Sequence, residues 1–581
     1  MTVSSDSISP EDGLGQAPGV VEASPEVQPV AGQPPEEKLT GSRSKTYWVS
    51  GIVVVFLLAL GLGIRIYDIA DQPLDFHATR QLRGAIIARG MYYQLLPSAD
   101  PEMRQMAINF QNSTGQYEPS ILEWLSARTY LFFGHEDLSV PRLYSSIFWM
   151  IGGFFVYLLA RRILDRQQIT DSPAALNYIK STLFAALVAL AYVVILPFTV
   201  QASRSIQPDP LMVMWIVITA YLLYRWSETE TTAGAQVVTT TASGFSRSRW
   251  RGRLSAWLWA ILAGLAGGLG ILTKVVAGYI IAGAAIALVI YALGVKRLWR
   301  NPRVWAMALM MLAPSVLYYY SRTGRAGSYF ETWTISLSNL LLQPSFYVRW
   351  LNLVQDLVGF WALLLGVVGI WIARPRGRSL LLGLWIGYLA YGLFTPYQMY
   401  THSYYHEQLV PIIGLSLAVV AQVVLERLFQ QKLIWQIPVL GVFFVGLAFP
   451  AWTSIYTQAR DDYRHEPAYW QQIASYLPTD GKIVALTQDY GYRLMYYGWR
   501  KVSLWPIRGE MTLAELRGAA KDFTTYFSKR TEGRTYFLIT AFGQLNDQPE
   551  LKKMLAENYT LVAQGDGYLI YDLTRSLQDN K

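Results

Sequence analysis

Long apolar runs separated by short polar segments dominate the chain from residue 47 onward. The first run is Tyr47–Ile66, and ten more are centred near residues 150, 190, 217, 263, 284, 312, 364, 387, 417 and 442. A run of about 20 apolar residues is long enough to cross a hydrocarbon core of roughly 30 Å as a helix. The pattern therefore predicts eleven membrane-spanning helices, with only Lys274 interrupting the pair near 263 and 284.

The two ends of the chain differ from this middle part. Residues 1–42 are rich in Pro, Glu, Ser and Gly and nearly free of aromatic residues, which predicts a disordered tail before a membrane domain over 43–455. Residues 456–581 read as a small soluble α/β domain. Its predicted helices are 468–477, 512–529 and 550–558, and its predicted strands are 482–487, 535–540 and 568–571. Helices alternating with strands favour a partly parallel sheet.

The composition agrees with a membrane protein. Of 581 residues, 52% are hydrophobic, 14% are aromatic and only 15% are charged, whereas soluble domains average about 25% charged residues. These values exclude a disordered chain, a fibrous protein and an ordinary soluble enzyme. The chain has no Cys, which excludes disulfides, a thiolate zinc site, an iron–sulfur cluster and a cysteine nucleophile.

The placement of basic residues predicts the topology. Eighteen Lys and Arg residues fall between 161 and 180, 225 and 253, 296 and 303, 374 and 378, and 427 and 432. The intervening short loops hold far fewer cations, as the positive-inside rule predicts when these five loops are cytoplasmic. We therefore expect a cytoplasmic N-terminus, an extracytoplasmic C-terminal domain and a multi-pass protein of the plasma (inner) membrane. The net charge of +9 reflects this topology, so no nucleic-acid partner is expected.

The first outward loop, residues 68–139, holds the richest set of polar residues. A helical pattern follows Asp75, and on that helix His77, Arg80 and Arg83 are spaced three residues apart on one face. Two guanidinium groups on one face suit a phosphate, which they can bind bidentately. Asp75 lies at the expected helix start, where a carboxylate that only caps the helix is the structural alternative.

A second surface helix is predicted after Tyr117. Pro119 suits its first turn, and Glu118 suits the positive end of the helix dipole, which is the structural alternative to a role in binding.

Two further groups of charged residues lie between predicted spans. Arg204 and Asp209 stand between the third and fourth spans, where charges are costly unless they are paired or used. They either pair with each other or serve a site. Lys274 stands between the fifth and sixth spans, and the alternative to a functional role is that its side chain reaches along the helix to the interface.

Taken in order, these motifs resemble the GT-C superfamily, and within it glycosyltransferase family 39. The elements that carry the resemblance are Asp75 after the first span, two surface helices, Tyr117–Pro119, Arg204 to Asp209, Leu-Thr-Lys ending at Lys274, and His402–His406. That group includes protein O-mannosyltransferases and the aminoarabinose transferases of lipid A. The chain differs where the family often has Asp-Glu, since Phe76 follows Asp75, and where aminoarabinose transferases have Lys in place of Glu118.

The resemblance implies a membrane glycosyltransferase. It would move a sugar from a polyprenyl-phosphate donor to a hydroxyl of a lipid, glycan or protein acceptor on the outer face of the membrane, with inversion. Asp75 and Asp209 match the family's acidic positions, which implies that they are catalytic. The expected phosphate-binding cations are Arg80, Arg83, Arg204 and Lys274.

The substrate-binding residues expected from the same comparison are His77, Tyr117, Glu118, His402, Tyr404, Tyr405 and His406. On a helix, His402 and His406 would share one face as metal ligands, but the tyrosines between them favour hydrogen bonds to sugar or phosphate. No metal ligand is therefore assigned; a divalent metal is compatible with the sequence without being indicated by it.

Two other functions share some of these features. A transporter or flippase of lipid-linked sugars would place ionisable residues near the middle of the bilayer and often has repeated halves, whereas here the charges gather at the outer surface. A polysaccharide polymerase or ligase would use the same lipid donor but not this order of motifs.

Overall fold

A computed structural model describes residues 36–115, 117–165, 173–239, 247–321, 331, 334–480, 482–516 and 522–576. The helices of the membrane domain are α1 (Glu36–Ile66), α2 (Ala78–Leu95), α3 (Pro101–Ser113), α4 (Ile121–Phe133), α5 (Ser139–Leu164), α6 (Pro173–Ile195), α7 (Pro197–Ser203), α8 (Asp209–Thr239), α9 (Arg247–Thr273), α10 (Ala277–Leu293), α11 (Val295–Leu298), α12 (Pro302–Tyr320), α13 (Pro344–Val358), α14 (Phe360–Ile372), α15 (Pro375–Phe394), α16 (Pro396–Thr401), α17 (Leu409–Leu428) and α18 (Leu433–Arg460). Short 3₁₀ helices cover Ile335–Leu342 and Ser403–His406.

A helix lies at each of the eleven positions predicted from the apolar runs. Seven of these helices are long and apolar enough to cross a membrane, and they are Ser44–Ile66, Ser139–Leu164, Ala175–Ile195, Asp209–Thr232, Gly252–Thr273, Ser403–Leu428 and Leu433–Arg460. An eighth is counted if α13 and α14, which meet at a bend of 98°, form one span. Length and composition thus establish a polytopic helical protein with seven or eight such spans among the residues that the structure describes, and the count of eleven stays a prediction.

The pair of runs near 263 and 284 is two separate helices. Helix α9 ends at Thr273 and α10 begins at Ala277, so Lys274 lies in the break between them. The Gly-rich stretch of α9 is a packing surface, as its small residues predict. A side chain added at Gly268 would collide with the backbone oxygen of Met310 on α12.

The first outward loop is helical, as predicted, with one helix more than expected. The helical pattern after Asp75 is α2, and the helix expected after Tyr117 is α4. Helix α4 starts at Ile121, so Pro119 precedes the helix instead of forming its first turn. The additional helix, α3, begins at Pro101 and is capped by Asp100, whose carboxylate accepts hydrogen bonds from two backbone N–H groups.

At the other end of the membrane domain, α1 begins at Glu36, inside the predicted tail of residues 1–42. The rest of that predicted tail, residues 1–35, lies outside the described residues.

The C-terminal region contains the predicted mixed sheet. Its helices are α19 (Glu466–Ser475), α20 (Tyr492–Tyr497), α21 (Arg508–Leu516), α22 (Phe523–Thr531), α23 (Phe542–Asn546) and α24 (Pro549–Asn558), and its strands are β1 (Ile483–Leu486), β2 (Ser503–Leu504), β3 (Tyr536–Ile539), β4 (Tyr559–Gly565) and β5 (Tyr568–Ser576). The strand order is β2-β1-β3-β5-β4. Strand β1 pairs in parallel with β2 and β3, whereas β5 pairs antiparallel with β3 and β4.

Several details of this region differ from the sequence prediction, and the short helices α20 and α23 were not predicted. The single helix expected over 512–529 is two helices, α21 and α22, with residues 517–521 outside the described residues. Strands β2 and β4 were not predicted. Strand β2 has only two residues, and β4 is an edge strand with mostly exposed side chains, so neither carries an apolar run.

The C-terminal region and the first outward loop share one hydrophobic core. Leu82 and Ile86 of α2 pack in the same buried cluster as Trp470 and Ile473 of α19. The hydroxyl of Thr79 on α2 also donates a 2.8 Å hydrogen bond to Asp489 of the C-terminal region. The C-terminal region is thus attached directly to the helix that carries the predicted phosphate-binding arginines.

Candidate functional site

The chain enters α2 through a left-handed residue. His77 is the N-cap of α2, with φ 47° and ψ 61°, a conformation that is uncommon for residues other than glycine. Asp75 lies two residues earlier, and its carboxylate accepts hydrogen bonds from the side chains of Arg142 and Gln81. Asp75 is therefore not the N-cap of α2, as the capping alternative supposed, and its position depends on tertiary contacts.

Glu118 joins the two arginines of α2. Its Oε1 lies 3.2 Å from Nη2 of Arg80, and its Oε2 lies 3.9 Å from Nη1 of Arg83. Arg83 also donates to the backbone oxygen of Gly115 at 2.7 Å and lies over the ring of Tyr117. Glu118 thus holds both guanidinium groups together, and its charge serves tertiary ion pairs.

The pKa of Glu118 reflects this environment. Burial alone would raise the pKa of its carboxyl group, but Arg80, Lys274 and Arg83 outweigh burial and lower the pKa to about 2. Glu118 is therefore ionised at neutral pH, and Lys274 is close enough to act on it.

Lys274 forms a buried ion pair with Asp209. Its Nζ lies 2.7 Å from Oδ1 of Asp209, and it also lies 5.2 Å from the ring centroids of both Tyr404 and Tyr405. Arg80 lies over the other side of this group, 5.4 Å from the centroid of Tyr404. The structure thus brings together three of the four predicted phosphate-binding cations, one predicted catalytic carboxylate and both tyrosines. We call Arg80, Arg83, Glu118, Asp209 and Lys274 the cation cluster.

Two histidines border the cation cluster. The ring of His77 stacks on that of His402 at 6.3 Å and meets Tyr404 edge-on at 4.8 Å, and its Nε2 is 2.8 Å from the Ser403 hydroxyl. Burial, followed by the nearby His402 and Arg80, lowers the pKa of His77 to about 4. His77 is therefore neutral at neutral pH, and a neutral imidazole can both donate and accept hydrogen bonds.

Asp75 and Arg204 belong to a second group. Oδ2 of Asp75 lies 2.8 Å from Nη2 of Arg142 and 3.5 Å from Nη1 of Arg204. Arg204 also donates to the backbone oxygen of Asp68. These residues line a small cavity together with Gln458 of α18. Arg204 thus pairs with Asp75, and Asp209 pairs with Lys274, so the Arg204–Asp209 pair considered from the sequence is not formed.

Gln81 connects the second group to the loop before Asp209. Its amide nitrogen donates to Oδ1 of Asp75 at 3.1 Å, and its amide oxygen accepts from the backbone N–H of Ile206 at 3.0 Å. Gln81 is completely buried. Because it lies between Arg80 and Arg83 on α2, one helix contributes to both groups.

His406 is positioned differently from the other predicted binding residues. It is completely buried. Its Nδ1 is 2.7 Å from the hydroxyl of Tyr388, and its Nε2 is 3.0 Å from the backbone oxygen of Met399. Both ring nitrogens are therefore occupied within the protein, so His406 supports the loop that carries His402, Tyr404 and Tyr405.

Within the described residues, no group of three or more His, Asp or Glu side chains is arranged to hold a metal ion.

Several residues of these groups were missed in the sequence. Arg142 had a detectable signal, because an arginine at the start of an apolar run must be paired or used. Gln81 had none, because an amide between two arginines gains meaning only from its contacts in the folded protein. Glu123 of α4 is buried beside the same arginines, and burial raises its pKa to about 7.

The fold and these groups can now be compared with known proteins. The model of the dolichyl-phosphate-mannose-protein mannosyltransferase (PMT) family matches residues 92–363. This range includes Glu118, Arg204, Asp209 and Lys274 and begins after Asp75, Arg80 and Arg83. No curated protein sequence matches the chain significantly.

Two solved structures are similar to this chain in fold. ArnT from Cupriavidus metallidurans in the apo state matches with a TM-score of 0.52 at 16% identity, over 91% of this chain and 98% of that chain. The same protein bound to undecaprenyl phosphate matches with a TM-score of 0.50 at 17% identity, over the same shares. The GT-C resemblance and the GT-C-like fold predicted from the sequence are confirmed, and the chain is a multi-pass membrane protein.

Proposed function

We propose that this protein is a membrane glycosyltransferase that moves a sugar from a polyprenyl-phosphate donor to an acceptor hydroxyl, with inversion at the anomeric carbon. The observation that carries the proposal is the cation cluster, in which three cations stand against two carboxylates. Its net charge of one positive unit suits a lipid phosphate. The PMT family match and the undecaprenyl phosphate bound to ArnT support a lipid-linked donor.

The cations would stabilise the phosphate as the leaving group. When the bond between the anomeric carbon and the phosphate oxygen breaks, negative charge develops on the phosphate, and fixed cations stabilise it without having to reorganise. Arg80 and Arg83 are held by Glu118, and Lys274 is held by Asp209, so each is oriented before the donor arrives. In this proposal Arg204 acts instead by orienting Asp75.

Asp75 would be the general base. The acceptor oxygen forms a bond to the anomeric carbon while its proton passes to a carboxylate, and the lipid phosphate leaves. The side chain of Asp75 is 15% exposed, whereas that of Asp209 is 1% exposed and held by Lys274. Asp75 is therefore the carboxylate that an acceptor can reach, and Asp209 is assigned to positioning Lys274.

The aromatic and imidazole groups would bind the sugar. Tyr404 and Tyr405 lie beside Lys274, and His77 and His402 lie beside Tyr404. Aromatic faces and neutral imidazoles offer both apolar contact and hydrogen bonds to sugar hydroxyls. Tyr117 and Glu118 would complete this binding surface from the loop side.

We place this chemistry on the outer side of the plasma (inner) membrane. Helix α8 begins at Asp209, α9 ends beside Lys274, and the span containing α17 begins at Ser403, so three helix ends meet at the cation cluster. The basic loops mark the opposite ends of these helices as cytoplasmic. The C-terminal region, packed against α2, then lies outside the cell as well.

The test is transfer by the purified full-length protein in detergent. The donors are a panel of polyprenyl-phosphate sugars, and the products to follow are released polyprenyl phosphate and glycosylated lipid, glycan or peptide acceptors. Asp75→Asn should reduce transfer on the order of 100-fold while donor binding persists. Arg83→Gln should weaken donor binding by about tenfold or more, since it removes a charged phosphate contact.

Matched variants control for nonspecific effects. Asp480→Asn changes an exposed aspartate of the C-terminal region, and Arg128→Gln changes an arginine that lies over Trp124 on α4. Both should transfer normally. Near-normal transfer by Asp75→Asn would remove its catalytic role. Movement of intact lipid-linked sugar across vesicles without any transfer would indicate a transporter, and chain extension of a lipid-linked glycan would indicate a polymerase or ligase.

A further inference from the structure

The small cavity beside Asp75 contains a buried side chain that the proposed reaction does not use. Gln458 of α18 lines this cavity and is only 6% exposed. Neither its amide oxygen nor its amide nitrogen has a hydrogen-bond partner among the described residues. A buried amide without hydrogen bonds lowers stability. We therefore expect Gln458 to bind a group that is not part of the chain.

Arg204, which lines the same cavity, is also not fully satisfied. Its Nη1 contacts Asp75 and its Nη2 donates to the backbone oxygen of Asp68. Its Nε is buried and has no partner among the described residues. Two polar side chains next to the proposed general base thus have hydrogen-bonding capacity left over.

The size and charge of the cavity restrict what can enter it. It has room for about one water-sized group. Its charged lining residues are Arg142, Arg204, Asp68, Asp71, Asp75 and Asp461. Arg464 and Arg460 pair with Asp68 and Asp461 from the exposed surface, so the cavity has no surplus positive charge that would attract an anion. A neutral hydroxyl group, which can both donate and accept hydrogen bonds, fits this lining best.

We propose that this cavity is the acceptor subsite, and that Gln458 binds the attacking hydroxyl of an uncharged alcohol next to Asp75. The inference rests on the function proposed above and assigns its acceptor as a neutral hydroxyl group and not a phosphate. The acceptor oxygen forms its bond to the anomeric carbon while the bond from that carbon to the phosphate oxygen breaks. The hydroxyl proton passes to Asp75, and the phosphate leaves with the bonding electrons. A hydrogen bond from Gln458 fixes the oxygen where it can attack.

The donor and the acceptor are then bound by different parts of the protein. The cavity is lined by residues other than the five of the cation cluster. Gln458 lies near the end of α18, five residues before Tyr463, whose backbone N–H donates to Asp71 at 3.0 Å. A change at position 458 should therefore affect the acceptor and leave binding of the donor phosphate intact.

The experiment uses the purified full-length protein and whichever polyprenyl-phosphate sugar of the panel above releases polyprenyl phosphate fastest. The detergent and buffer contain no hydroxyl groups, so the acceptors offered are water, added methanol and added inorganic phosphate. The wild type should form the free sugar and the methyl glycoside but no sugar phosphate. Gln458→Met, which keeps a similar volume without an amide, should form both products about tenfold more slowly, as expected for one lost hydrogen bond. It should bind undecaprenyl phosphate as the wild type does.

Thermal unfolding separates acceptor binding from support of the fold. Because the amide of Gln458 lacks a partner, Gln458→Met should unfold at the same temperature as the wild type or a higher one. Gln458→Asn keeps an amide but loses volume, and it should retain more of the rate than Gln458→Met. Gln436→Met makes the same change about 30 Å away on α18 and should behave as the wild type in every assay.

The possible outcomes distinguish the two proposals. Equal product formation by the wild type and Gln458→Met would overturn the inference and leave the proposed function standing. Sugar phosphate formed as fast as methyl glycoside, or free sugar without methyl glycoside, would do the same. A lower unfolding temperature of Gln458→Met would show that Gln458 holds a structural water or supports the fold, which also overturns the inference. A wild type that releases no polyprenyl phosphate from any donor would overturn both proposals.

Discussion

Lys274 and Asp209 are 65 residues apart in the chain, yet their charged atoms meet at 2.7 Å, and only 7% and 1% of their side chains are exposed. The pair ties the break between α9 and α10 to the first residue of α8. Lys274 therefore does not reach to solvent, as an interfacial lysine would. Its charge is satisfied inside the protein.

Removing one partner of this pair should lower the free energy of unfolding more than removing both partners. Lys274→Met leaves a buried carboxylate and should destabilise the protein by about 3 kcal/mol or more, and Asp209→Asn should have a similar effect. The double variant, with Lys274→Met and Asp209→Asn together, should be at least about 1 kcal/mol more stable than the sum of the two single losses predicts. It should still not bind the donor. Thermal unfolding and undecaprenyl phosphate binding measure the two effects, with the exposed Lys296→Met as the control; strictly additive losses would contradict the prediction.

The lowered pKa of His77 predicts a loss of stability in acid. The unfolded chain takes up a proton near pH 6.5, whereas folded His77 resists protonation until about pH 4. The stabilisation is therefore fully present above pH 6.5 and declines as pH falls toward 4. The unfolding temperature of the wild type should drop more over this window than that of His77→Gln. His465→Gln changes an exposed histidine and should follow the wild type; identical curves for His77→Gln and the wild type would refute the assignment.

Glu123 should have the opposite dependence. Its pKa is raised to about 7 by burial, so the folded state holds the proton more tightly than the unfolded chain, whose value is 4.5. The stabilisation is present below pH 4.5 and is lost as pH rises through 7. Glu123→Gln should therefore gain unfolding temperature relative to the wild type above pH 7 and gain none at pH 4.5. Glu557→Gln, on the exposed surface of α24, should show no such difference, and its absence in Glu123→Gln would contradict the prediction.

Arg89 should hold the C-terminal region on α2. Its guanidinium group lies 3.7 Å from the centroid of Tyr496 and 4.5 Å from that of Trp499, and its Nε lies 2.9 Å from Glu136. Arg89→Ala leaves the Glu136 carboxylate without its partner and removes the cation stacked on two rings, so it should destabilise the protein by about 2 kcal/mol or more. Limited proteolysis should then release the C-terminal region faster than in the wild type. Arg128→Ala, which removes a stacking arginine elsewhere, should leave the cleavage rate unchanged.

The helices of the membrane domain and of the first outward loop could be predicted because their signal is local. Apolar runs mark the spans, and the spacing of Arg80 and Arg83 marks one face of α2. The two missed strands show the reverse case. Strand β4 is exposed on most of its length and is positioned by pairing with β5, which no local pattern records.

The sequence predicts which residues belong to the site better than it predicts which of them pair with each other. Arg80, Arg83, Lys274 and Asp209 are all predicted from the sequence, but which cation meets which carboxylate depends on how α2, α8 and α9 approach one another. Arg204 was grouped with the phosphate-binding cations, and the structure gives it Asp75 and a neighbour, Arg142, that was not selected.

The shared core of α2 and α19 has a consequence for how the protein is made. Thr79 and Asp489 are 410 residues apart, so the apolar side of α2 is completed only when nearly the whole chain has been synthesised. Until then the apolar side of α2, the helix that carries Arg80 and Arg83, is not buried against α19. A copy that stops short of α19 would emerge from the ribosome with this surface open, and cellular quality control could recognise and remove it before it reached the lipid donor.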